Sequence, residues 1–184
     1  MFLPLFSVCF LLASCQRDEI QTYSIPKELP SPQPSPIGRG RSEATGEGEV
    51  TWKVPAGWKE QAPNSMRLAS FLIKGENGQE ADMSVVTLSG EAGGDLANIN
   101  RWRGQIQLGA MSQPDLSAQS ETLKAGGRKM LYVDFVKGKK RLMAAIYHQK
   151  DQTWFFKILG EDATVLSAKP AFMHFLQSLK FHDE

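Results

Sequence analysis

Beyond residue 15 the sequence has no cysteine; its two are Cys9 and Cys15. That absence excludes disulfides, thiol catalysis and cysteine-ligated metals from everything downstream. It suits an oxidising compartment without requiring one. An excess of either charge is also missing. With 21 basic and 20 acidic residues the net charge is +1, which leaves no electrostatic footprint for nucleic acid. The initial apolar run is shorter than the roughly 20 residues that span a bilayer. Motifs that carry chemistry are sparse. His148, His174 and His182 are the three histidines, and none has the H-x-x-x-H spacing of a helical zinc site. No G-x-S-x-G elbow occurs, and no serine has a readable base partner. The sequence therefore predicts no catalytic residue, no metal and no cofactor.

What is present begins at Met1. Residues 1–14 (MFLPLFSVCFLLAS) are uncharged and rich in Phe, Leu and Val, as in the apolar part of a secretion signal. No Lys or Arg precedes them, so either the true start lies upstream or the signal is atypical. Leu12-Ala13-Ser14-Cys15 resembles the bacterial lipobox at all four positions. The resemblance implies that Cys15 becomes the first mature residue and carries acyl chains such as palmitate. Two or three chains anchor a protein stably, where one binds only marginally. Gln16 follows the cysteine, and by analogy with enterobacterial sorting a residue other than Asp there favours the outer membrane. An ordinary signal peptide with a cysteine near its end is the competing reading. The expected location is the cell envelope, with the protein membrane-anchored and facing the periplasm.

Residues 15–48 show no periodic apolar pattern. The piece LPSPQPSPIGRGRSEATGEGE is Pro-rich, then Gly-rich and charged. Such a segment cannot bury enough apolar surface to offset its ordering entropy, and it predicts a disordered tether. Its reach is roughly 30 Å, more where prolines stiffen it.

Residues 49–184 read as one α+β domain. Glu49–Val54 alternates as a strand should, and Pro55-Ala56-Gly57 turns the chain. Met66–Lys74 and Ala81–Ser89 are further strands, separated by a turn at Gly75–Gly78. After a glycine-rich break at 90–94, Asp95 reads as a helix N-cap. Leu96, Ile99, Trp102 and Ile106 form one apolar helical stripe, with Gly109 at the C-cap position. Residues 110–118 read as a loop. Gln119–Lys124, Arg128–Val136, Arg141–His148 and Thr153–Leu159 then form a meander. Arg128–Val136 reads as a central strand because Asp134 is its one interior polar residue, and Gly160 is expected to end the meander. Val165, Lys169, Phe172, Phe175 or Leu176, and Leu179 recur at helical spacing. Pro170 should kink that helix or start a new first turn. Leu179–Phe181 is a short closing strand.

Pro55-x-Gly57-Trp58, Trp154-Phe155-Phe156-Lys157 and Phe172-x-x-Phe175-Leu176-x-Ser178-Leu179-x-Phe181, in this order of elements, resemble the PsbP-like fold. That fold is shared by the extrinsic photosystem II P protein and the Ran-binding Mog family. The resemblance covers most of residues 50–182. It implies an antiparallel sheet sandwiched between helices. It also implies a non-enzymatic protein that binds or assembles protein complexes. MRLASF (66–71), LANINRWRGQ (96–105) and WFFKILG (154–160) resemble uncharacterised bacterial lipoproteins. No match to photosynthetic partners or to a GTPase-binding surface accompanies these motifs.

Candidate partner- or ligand-binding residues are Arg67, Asn100, Arg101, Trp102 and Arg103. Trp and Arg anchor interfaces, and the neighbouring amides of Asn98 and Asn100 could orient a polar group. The simpler reading packs Trp102 on the sheet and leaves the arginines solvated or ion-paired. Gly90–Gly94 before a helix could cradle a phosphate, but it has neither a Lys-Ser/Thr ending nor G-x-G-x-x-G spacing. A strand-to-helix turn is the better reading. Lys137–Arg141 (KGKKR) could touch anionic headgroups, or simply be a solvated hairpin. The expected function is that of a lipid-anchored, non-enzymatic envelope protein that binds or helps assemble a membrane-associated protein complex. The alternative is a small-ligand carrier or enzyme with a cleft near the 96–105 helix.

Overall fold

The computed structural model describes residues 50–62 and 66–182. The signal expected at 1–14, the lipid attachment at Cys15 and the linker at 15–48 lie outside the described residues.

Strands β1 (Val50–Thr51), β2 (Trp58–Glu60), β3 (Ala69–Lys74) and β4 (Glu80–Ser89) lead into α1 (Asp95–Gln105) and α2 (Gln113–Gln119). A meander of β5 (Glu121–Ala125), β6 (Arg128–Lys137), β7 (Lys140–Gln149) and β8 (Gln152–Glu161) follows. Helix α3 (Asp162–Ser178) and β9 (Lys180–Phe181) close the domain. Seven strands form one antiparallel sheet in the order β2-β3-β4-β8-β7-β6-β5. The remaining pair, β1 and β9, joins the two ends of the domain through Val50 and Phe181.

Alternation along the strands divides the sheet into two faces. Phe71, Met83, Val85, Trp154, Phe156 and Ile158 point to one face, where α3 covers them with Val165, Phe172, Phe175 and Leu176. Val133, Phe135, Leu142, Ile146 and Phe155 point to the other, against Ile99, Trp102 and Ile106 of α1 and Leu116 of α2. Each large apolar side chain so buried contributes roughly 1.5–3 kcal/mol. The architecture is the α+β sandwich that the sequence predicts.

Several local expectations are corrected. Strand β8, not β6, is the middle of the sheet; β6 is an interior strand next to the edge strand β5. Asp134, the lone polar residue of β6, is ion-paired to Arg141 at 2.7 Å and to Lys169 of α3 at 2.9 Å. The 110–118 stretch is not all loop, because it holds α2. Ser112 and Asp115 form a reciprocal capping box there, Pro114 lies in the first turn, and Leu116 supplies the one buried contact. Helix α1 has Gly94, not Asp95, at its N-cap. It ends at Gln105, well short of Gly109, and Gln107 takes the left-handed turn with φ 60°. Gly160 does not end β8. It pairs with Ala81 on β4 and Arg141 on β7, and the strand runs on to Glu161. Helix α3 continues through Pro170. Proline removes the bond to the carbonyl of Leu166, and Leu166 and Pro170 are both exposed, so water can take its place.

Candidate functional site

The five residues singled out by sequence do not act as one group. Trp102 is a core residue: 4% exposed, it meets the Phe155 ring edge-on at 5.6 Å. Asn100 is engaged by backbone. Its Nδ2 donates to the Met111 carbonyl at 3.0 Å, and its Oδ1 accepts from the Met111 amide at 2.8 Å. That pair pins the chain between α1 and α2. Arg103 stacks over the Phe135 ring at 4.8 Å and donates from Nε to the Gly109 carbonyl. These three hold the helix and its exit loop.

Arg67 and Arg101 differ, because both reach the surroundings of a residue the sequence reading passed over, Lys157. Register explains the meeting. Ser70 on β3 faces Ser84 on β4, which faces Lys157 on β8, and all three point to the α1 side. Arg67, just before β3, donates to Asp82 Oδ1 at 2.9 Å and to Ser70 Oγ at 3.2 Å. Arg101 donates to Asn98 Oδ1 at 2.6 Å. Lys157 Nζ donates to Gln105 Oε1 at 2.9 Å and lies 5.9 Å from the Trp102 ring. Burial pushes the Lys157 amine down to about 8; Arg67 and Arg101 push the same way, and Asp82 opposes them. The arrangement is thus a half-buried cluster of three cations with one carboxylate.

Helices α1 and α2 sit over β6, β7 and β8 and reach Val86 of β4; among the described residues the rest of that face on β3 and β4 is less covered, with Ser70 and Ser84 still buried. Leu72 and Asp82 there are half-buried, while Leu68 and Leu88 are 40% and 38% exposed. Lys157 was hidden in the sequence by its apolar company, Trp154 to Leu159. Alternation alone places it with Phe155 and Leu159 on the α1 side, and that signal could have found it.

A separate cleft of about 510 Å³ opens at the start of α1, between Gly90–Asp95 and the β7–β8 turn. The Gly90–Gly94 stretch is the strand-to-helix turn the sequence suggested. Asn98 closes it by donating to the carbonyls of Ala92 and Gly94 at 2.9 and 2.8 Å. His148 has a partner after all: its Nε2 lies 2.9 Å from Asp95 Oδ1, and its Nδ1 lies 3.1 Å from Thr153 Oγ1. Among the described residues no group of three or more His, Cys, Asp or Glu could hold a metal ion. In the KGKKR hairpin Lys140 pairs with Glu161 and Arg141 with Asp134 and Asp162, while Lys137 and Lys139 are exposed. No helix among the described residues is long and apolar enough to cross a membrane.

No family model matches the sequence, and no curated protein matches it either. Solved structures do. The chain is similar to the cyanobacterial PsbP protein (CyanoP) of Synechocystis sp. PCC 6803, with TM-score 0.47 and 12% identity over 72% of this chain and 86% of that one. It is similar to LpqN, involved in cell envelope biogenesis of Mycobacterium tuberculosis, with TM-score 0.43 and 11% identity over 73% and 83%. A protein of Bacteroides thetaiotaomicron matches with TM-score 0.42 and 13% identity over 73% of this chain. This chain spans 46% of that protein, less than half its length. Identities this low carry no side-chain role from one protein to another.

Proposed function

We propose that this is a lipid-anchored, non-enzymatic binding module of the cell envelope that engages a protein partner through the open face of its sheet beside α1. The observation that carries the reading is the gathering of Arg67, Arg101 and Lys157 on that face, next to exposed leucines. Half-apolar surface with a charged centre is what a protein partner can desolvate and match. The lipobox-like Cys15 supports the anchor, residues 16–48 the tether, and Gln16 the outer membrane. Neither arginine lines the cleft at the start of α1, and both act on the charge of Lys157. That favours a docking surface over an enclosed ligand cavity. The experiment has two arms. Cys15→Ala should move the protein from the membrane to the soluble fraction; retention in the membrane overturns the anchor. A photo-crosslinking residue at Leu72 should give a partner adduct in cells, while one at the exposed Leu166 on α3 should not. Equal adducts at both positions, or none at Leu72, overturn the docking face.

A further inference from the structure

Resting on that reading of the open face, we infer that its partner presents an acidic peptide segment, whose carboxylates sit among Arg67, Arg101 and Lys157 and whose apolar residues lie over Leu72 and Leu88. The charge pattern selects the class. Arg67, Arg101 and Lys157 against Asp82 leave three positive charges and one negative, a local excess of +2. A chain whose overall net charge is only +1 therefore concentrates positive charge here. Arg67 divides its Nη1 between Asp82 and Ser70 and keeps further N–H donors. The Arg101 side chain lies on the exposed side of α1. Ser70 and Ser84 form a buried floor between the cations.

Apolar residues flank this centre. Leu72 is next to Asp82 in register, and Leu88 is two positions beyond Val86, which belongs to the α1 core. A lone phosphate would use the cations and leave the leucines wet. An extended segment alternating acidic and apolar side chains uses both. Electrostatic steering toward the cluster would give the encounter a strong salt dependence.

Protonation of Lys157 ties the site to pH. The charged and titratable groups that face it are Arg67, Asp82 and Arg101. Its hydrogen-bond partner Gln105 and its strand neighbours Ser84 and Ala144 are uncharged. A carboxylate ligand favours the ammonium form, so affinity should fall as pH rises past the point where the amine, pushed down to about 8, loses its proton.

The test uses the full chain carrying Cys15→Ala and a fluorescent synthetic peptide of alternating Asp and Leu, read by anisotropy. Binding should weaken steeply with salt. Lys157→Gln and Arg101→Gln should each lower affinity about tenfold, the size of one good charge pair. Lys157→Arg should restore binding and abolish the loss between about pH 7 and 9. Leu166→Ala, on the opposite side of the molecule, should change nothing. Circular dichroism confirms that each variant is folded, and the Lys157→Arg arm reads the charge even if Lys157→Gln unfolds. An Asn-for-Asp peptide binding equally well overturns the inference, as does unaltered binding by the Gln variants. Binding of inorganic phosphate or phosphatidylglycerol vesicles in place of the peptide also overturns it. A Leu72 crosslink in cells without peptide binding would keep the docking face and discard the acidic class.

Discussion

His148 on β7 and Asp95 in the first turn of α1 meet at 2.9 Å, and this contact ties a hairpin to a helix start more than 50 residues away in sequence. The contact continues to the start of the helix turn. Thr153 Oγ1 donates to the Gly90 carbonyl at 2.6 Å and lies 3.1 Å from His148 Nδ1. The Asp95 carboxylate accepts from Nε2.

A double-mutant cycle measures that tie. His148→Gln and Asp95→Asn, alone and together, should give a coupling of about 0.5–1 kcal/mol, as for a half-exposed pair. Urea denaturation reads it. A coupling near zero would mean that crossing charges leave α1 and the hairpin independent.

Asn98 should matter more. It is 2% exposed, its amide nitrogen serves two carbonyls, and its oxygen accepts from Arg101. Asn98→Leu keeps the volume and removes the side-chain donor from the Ala92 carbonyl, while the Gly94 carbonyl keeps the residue 98 amide at 3.2 Å. The expected loss is about 1–3 kcal/mol, seen as a lowered denaturation midpoint. Hydrogen exchange at the start of α1 should rise with it.

Gly160 marks a close approach between strands. A Cβ built there would lie 2.6 Å from Ala81 Cα and 2.6 Å from the Glu80 carbonyl oxygen. Backbone cannot yield as a side-chain tip does. Gly160→Ala should therefore cost about 2 kcal/mol or more, measured by thermal unfolding. Gly57→Ala, where nothing lies within 4 Å and only a φ of 84° resists, should cost about 1 kcal/mol.

Alkaline stability should rise before it falls. Lys157 is depressed from 10.5 to about 8. Between those values the unfolded chain holds more protons, so stability increases with pH. The gain should be about 2 kcal/mol once solvent screening is allowed for. Tyr132 is raised above its ordinary value of 10.0, mainly by burial and then by the Asp134 charge. Its contribution is complete below that value and is lost as pH climbs beyond it. Lys157→Met should erase the rise and leave the later fall, as followed by urea midpoints against pH.

How much could be read beforehand depends on periodicity. The stripe Ile99, Trp102 and Ile106 is buried as spaced, and so are Val165, Phe172, Phe175, Leu176 and Leu179. Long alternating strands such as β4 and β7 were legible for the same reason. Strand β2 was not, because three residues cannot display a period. Helix α2 was missed because its single buried residue, Leu116, makes no stripe; only its capping box announces it. Strand order was beyond reach, since the pairing of β4 with β8 joins segments with no local signal between them. The candidate site split along the same line. Arg67 and Arg101 stood out as residue types, but their meeting at Lys157 needs three strands in register and a helix laid beside them.

The same pairing sets the order in which the molecule can assemble. Strand β8 occupies the middle of the sheet and is among the last strands to be made, while β1 finds its partner only in β9. A chain emerging from N- to C-terminus therefore has β2, β3 and β4 with one edge waiting, and cannot complete either core until residue 161 and then α3 arrive. Such non-local topology folds late and slowly. A nascent chain stays unclosed almost to its end, and removal of α3 and β9 would strip the domain of its closure, not merely of its last turn.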